Sequence, residues 1–120
     1  MNFKVGTIYH FKNCETAYPP KNKFAVCISS RRSFFYLINS IDDKRPYAYE
    51  EKHVVFLETS RVECLSHKSY INVSKVREIQ QKHDVQEKNI LSNDLLLKIR
   101  NKVKNNKKLS NEYKNIILEE

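Results

Sequence analysis

The sequence predicts one mainly-β domain spanning 1–120, a small barrel or half-open sandwich with one or two C-terminal α-helices. Short apolar runs separated by polar loops fill about residues 3–80. The apolar period then lengthens to that of a helix across about residues 92–119. A chain of 120 residues, 40% hydrophobic and 30% charged, has enough apolar material for one core, and no linker divides it.

The elements follow in order. "VGTIYHF" (Val5 to Phe11) alternates Val5, Thr7, Tyr9 and Phe11 with Ile8 and His10, and holds Gly6, the chain's one glycine. "KNCETAYPPKN" is a polar loop with Pro19 and Pro20. "KFAVCIS" (Lys23 to Ser29) and "FFYLINSI" (Phe34 to Ile41) are apolar on both faces, as central strands are. The short "SRRS" link predicts that they form an antiparallel hairpin. "DDKRPYAYEE" is a second polar loop. "HVVFL" (His53 to Leu57) and "RVECL" (Arg61 to Leu65) read as two shorter strands. "YINVSKVREI" reads as another, with Ile71 and Val73 on one side. Ser92 is placed to cap a helix carrying Leu95, Leu96, Ile99 and Val103, and Asp94 suits its first turn. After "NNKK", Ser110 caps a second helix with Tyr113, Ile116 and Ile117. That helix is too short to persist undocked.

Composition narrows the function. Lys and Arg number 22 against 14 Asp and Glu, a net charge of +8. This excess favours a polyanionic partner, nucleic acid ahead of an anionic membrane, although a solvated Lys-rich surface has the same composition. From Lys98 to Lys108 there are six basic residues and no acidic one. Arg100, Lys104, Lys107 and Lys108 would form one stripe, suited to phosphates or simply the wet side of an amphipathic helix. Loops carry Lys12, Lys21, Lys23, Arg31, Arg32, Lys44 and Arg45, with Tyr18, Tyr47 and Tyr49 nearby in sequence. Cationic grooves with stacking platforms are how single-stranded RNA is commonly held.

Cys14, Cys27 and Cys64 are an odd number without a CxxC pair, against a disulfide framework or zinc site and in favour of a reducing cytoplasm. No run has the character of a signal peptide or a membrane span. His10, His53, His67 and His83 form no HxH or HExxH pattern, and a single glycine builds neither a GxxxxGKS/T nor a GxGxxG loop. A GxSxG elbow is missing too. A metal-free reaction on RNA stays open. The ribose 2′-hydroxyl is then an internal nucleophile, and the protein supplies proton transfer and charge stabilisation.

Four pieces carry a resemblance. "VGTIYHF" is similar to a G-D-I/V-Y/W opening strand. "KFAVCIS" is similar to an R-P-A/V-L/V-V/I-L/I-S strand, and "LINS" falls on a strand end of the type L/I/P-T-S/T. "HKSYINVSKVREI", with the later "ILSNDLLLKIRNKV", is similar to an R/K-D-S-x-I/V-x-x-x-Q/R-I/V-R-T-I segment followed by its helix. Together they resemble the MazF/PemK family of toxin endoribonucleases, in particular the divergent PemK-like proteins found beside mobile elements. The resemblance covers nearly the whole chain. It implies an SH3-like β-barrel with a C-terminal helix, usually a homodimer. It also implies cleavage of single-stranded RNA without metal or cofactor, and an antitoxin that blocks the groove.

Carried over residue by residue, the family's catalytic Arg falls on Lys23, and its Thr or Ser on Asn39 with Ser40 next to it. Lys23 would then stabilise charge and Asn39 or Ser40 would orient the phosphate. Strand alternation turns Asn39 and Ser40 to opposite faces, so one of them reaches a groove. Lys12, Tyr18, Lys21, Arg31, Arg32, His53 and His67 are the expected RNA contacts, with "CETAYPPKNK" as a gating loop. The chain departs from the family with Thr7 and Lys68 in place of two Asp residues. Lys in place of Arg loses the bidentate fork, and Asn is a poor proton-transfer group. A non-catalytic RNA-binding or protein-interaction barrel is therefore the alternative.

Overall fold

The computed structural model describes residues 2–41, 50 and 52–120. Among the described residues, seven strands, β1 (Thr7–Phe11), β2 (Lys23–Ser29), β3 (Phe34–Ser40), β4 (Val54–Leu57), β5 (Ser69–Asn72), β6 (Arg77–Glu78) and β7 (Val85–Ile90), precede α1 (Asn93–Asn105) and α2 (Asn111–Leu118). The fold is mainly β, as expected. One antiparallel sheet runs β4-β5-β3-β2-β1-β7, with β6 also on β3. β4 and β7 stand at its two ends, so among the described residues the sheet is open rather than closed into a barrel.

β2 and β3 are central because both faces of each are apolar. Ala25 and Cys27 of β2 point into one cluster with Phe3, Tyr9, Phe11, Phe35 and Ile79. Val26 and Ile28 point into the other, with Ile8, Tyr36, Ile38, Val55, Ile71 and the helical Leu95, Ile99, Val103 and Ile117. The first cluster is an aromatic cage. Phe3 meets the Phe35 ring edge-on at 4.9 Å and the Tyr9 ring at 5.0 Å, contacts worth about 0.5–1.5 kcal/mol each beyond their burial. The helices cover the second cluster. The Ser92 hydroxyl accepts the Leu95 N–H and the Ser110 hydroxyl that of Tyr113, both at 3.3 Å, so each expected cap forms.

Three local expectations are corrected. "RVECL" is a pair of turns, with Arg61 and Val62 N–H donating to Glu58 and Leu65 N–H to Val62. Val62 and Leu65 are buried because they stand three apart on a turn, not because they alternate on a strand. The sheet also extends past residue 80 to β7, whose "VQEKNI" is mostly exposed at the edge and so carries no apolar alternation. Finally, β1 begins at Thr7, because Val5 and Gly6 form a turn.

Gly6 has φ +84, donates its N–H to Cys27 and accepts that of Leu91, both at 2.8 Å. It thus ties β2 to the entry of α1 in a left-handed conformation that an L side chain resists. A Cβ would meet Leu96 Cδ2 at 3.4 Å. Gly6→Ala should therefore cost roughly 1–2 kcal/mol through backbone strain rather than collision, measurable as a lower thermal midpoint.

Candidate nucleic-acid interface

The β2–β3 ladder pairs Phe24 with Ile38, so its next step brings Lys23, at the start of β2, beside Asn39, near the end of β3. Lys23 Nζ donates to Asn39 Oδ1 at 2.6 Å. Both side chains are half-buried. Burial, and then the positive charge of Lys21, push the Lys23 amine below the ordinary lysine range, with Cys14 opposing. The amide oxygen fixes where the ammonium points. A phosphate oxygen arriving there could take hydrogen bonds from Lys23 and from the Asn39 NH2 group.

The surroundings are cationic. Asn39 lines a shallow recess of about 40 Å³ with Leu37, Asn72, Lys75 and Arg77. That is room for about one water, hence for a phosphate oxygen and not a nucleobase. Asn72 shapes the turn into this segment by accepting the N–H and hydroxyl of Ser74 at 2.9 and 2.6 Å. Arg77 stands opposite Phe35 in the β3–β6 pair. Tyr70 pairs with Asn39 on one side and with Phe56 on the other. Directly paired residues share a face, so this side of the sheet carries Lys23, Asn39, Tyr70 and Phe56. The Lys68 ammonium lies 5.2 Å from the centre of the Phe56 ring and 3.1 Å from Glu58.

The loop between β1 and β2 stands beside this face. Its neck is held by Cys14 N–H donating to Lys21 at 2.9 Å. Glu15 accepts the Gln80 and Gln81 N–H groups at 2.6 and 3.0 Å, and Gln81 donates to the Lys12 carbonyl at 2.9 Å. Tyr18 at the tip is 98% exposed, an aromatic ring held out in solvent by an anchored loop.

The structure divides the expected contacts into groups. Lys23, Asn39 and Lys21 come together. Ser40 faces the other side, in a recess with Phe24, Ile38, Leu65, Ser66, His67 and Ser69. Its hydroxyl and His67 thus belong together but apart from Lys23, as strand alternation requires. Lys12 borders a wider cleft of about 310 Å³ with His10, Asp84, Val85 and Gln86. Arg31 and Arg32 lie in the turn at the far end of β2, Arg31 3.2 Å from Glu119 and Arg32 over the Phe34 ring. His53 is corrected most strongly. It is buried and shares a 2.7 Å hydrogen bond with Asn106 on the helix side, so it has no access to RNA. The cations of α1 are also on the helix side, where Arg100 donates to the Glu120 main-chain oxygen. Lys44, Arg45, Tyr47 and Tyr49 lie outside the described residues.

Lys75 and Arg77 are additions to the expected set. Their signal was the K-V-R alternation, which puts two cations on one side of the chain while Val76 packs against the core.

No protein-family model and no curated protein matches this sequence. Among the described residues, no helix is long and apolar enough to cross a membrane.

Proposed function

We propose that the Lys23–Asn39 face binds single-stranded RNA and that the protein cleaves it without metal, by attack of the 2′-hydroxyl on the adjacent phosphate. The observation that carries this is the 2.6 Å contact between the Lys23 amine and the Asn39 amide beside Lys75 and Arg77. Lys23 stabilises the charge that builds on the phosphate, and Asn39 orients it. The depressed affinity of the Lys23 amine for its proton also suits it to proton transfer. Lys75 and Arg77 hold flanking phosphates, and Tyr18 stacks a base at the mouth. The similarity to MazF/PemK toxins supports the same reading. It takes the sheet as part of an SH3-like barrel, the active form as a homodimer, the compartment as cytoplasm and the regulator as an antitoxin.

One observation favours a second reading, an RNA-binding module without cleavage. Ser40 turns its hydroxyl away from Lys23, and the neighbour that Lys23 keeps, Asn39, transfers protons poorly.

Incubation of the protein with long single-stranded RNA in chelator separates the two. Fragments ending in 2′,3′-cyclic phosphate are expected. Intact RNA together with binding that weakens steeply with salt would select the module. Neither binding nor cleavage would defeat both.

A further inference from the structure

A second polar cluster lies at the end of β2 opposite Lys23. The turn after β2 reads "SRRS", and Ser33, at φ +55, reverses the chain into β3. The main-chain N–H groups of Ser30 and Arg31 both donate to Glu120 Oε1, at 3.0 and 3.4 Å. The Ser30 hydroxyl donates to the same oxygen at 2.7 Å. The Arg31 guanidinium lies 3.2 Å from Glu119 Oε2. Consecutive N–H groups converging on one oxygen form an anion nest. Burial alone would raise the Glu120 carboxyl, but the hydroxyl and N–H groups of this turn outweigh it and hold it below its usual range. At neutral pH the nest is therefore filled by an anion. The fit is nevertheless incomplete, because Glu120 Oε2 is buried without a hydrogen-bond partner among the described residues.

We propose that this turn is a binding site for a terminal phosphate group, closed in this structure by the side chain of Glu120. A carboxylate has two oxygens in a plane and leaves one of them unbonded here. A phosphate monoester is tetrahedral and offers three. One takes the Ser30 and Arg31 N–H groups, the others the Ser30 hydroxyl and the Arg31 guanidinium once it leaves Glu119. Glu119 and Glu120 compete with that ligand for the same donors, so the residues following α2 gate the site. The proposal is independent of what Lys23 does at the other end of the strand.

The test follows the amide resonances of Ser30 and Arg31 while inorganic phosphate is added. In Glu120→Ala they should saturate at about tenfold lower phosphate than in the wild type, a difference of about 1.4 kcal/mol. Glu120→Gln, which keeps the side chain's size, should fall between the two. Adding Arg31→Ala to Glu120→Ala should abolish the response. A 5′-phosphorylated dinucleotide should reproduce the phosphate response, and the same dinucleotide lacking its 5′-phosphate should not. If only the free ion acts, the site serves inorganic phosphate, and the assignment of phosphate stands. Equal responses to both dinucleotides, no response in either Glu120 variant, or equal saturation in wild type and Glu120→Ala would overturn it.

Discussion

Lys23→Ala is expected to lower RNA cleavage about 10²- to 10³-fold, the loss typical of removing one donor aimed at developing charge. The side chain lies at the mouth of β2 and hydrogen-bonds Asn39, so the fold should survive. Its burial has a sign that can be checked. The amine is pushed down first by desolvation and then by Lys21. Between that lowered value and the ordinary one, the unfolded chain holds more protons than the folded one. Stability therefore rises as pH increases through this window, and at neutral pH the charged Lys23 costs the fold stability. Lys23→Met should accordingly lose activity without losing stability, the pattern of a residue retained for function. Charge stabilisation needs the protonated amine, so cleavage should fall with rising pH earlier than an exposed lysine would dictate. Lys21→Gln removes the like charge and should move that basic limb upward. Undiminished cleavage by Lys23→Ala would remove the amine from the mechanism. An unmoved limb in Lys21→Gln would remove its titration.

How much of this was legible in the sequence depends on where each residue sits in the sheet. β2 and β3 are marked in the sequence because apolar residues on both faces leave little choice but a central position. The two helices are marked by their serine caps and apolar spacing. β7 is not, because an edge strand with one exposed face needs no hydrophobic pattern and "VQEKNI" has almost none. The Lys23–Asn39 pair is marked in the sequence only by a resemblance of motifs, since a lysine and an asparagine sixteen residues apart declare nothing until strand register joins them. Register also decided between Asn39 and Ser40, as the two-residue period of a strand must. Lys75 and Arg77 do not stand out in the sequence because two alternating cations look like any wet strand face. They gain meaning only where β3 pairs first with β6 and then with β5, bringing them beside Asn39. His53 looks exposed in the sequence because it follows a polar loop, while its partner, Asn106, lies far along the chain.

That partner gives the largest stability effect expected here. Asn106 is 2% exposed and joins three pieces of chain. Its Oδ1 accepts the N–H groups of Lys108 and Leu109 at 2.9 and 3.2 Å, which fixes the turn from α1 toward α2. With the oxygen so engaged, the NH2 group must face His53 Nδ1 at 2.7 Å. Nδ1 is then the acceptor and the ring proton is on Nε2, which points toward Glu50 Oε2 at 3.7 Å. Asn106→Ala strips two N–H groups and a buried ring nitrogen of their partner at once. At about 1–3 kcal/mol for each buried group left unsatisfied, partly relieved by water, the cost should be roughly 3 kcal/mol. Urea denaturation should show a lower midpoint with an unchanged slope. Asn106→Asp keeps the acceptor for both N–H groups but buries a carboxylate against His53 Nδ1, so it too should be destabilising. His53→Ala combined with Asn106→Ala should be less damaging than the sum of the two, because they break one shared contact. Strict additivity, or an unmoved midpoint in Asn106→Ala, would show that the helices are held to the sheet by apolar packing alone.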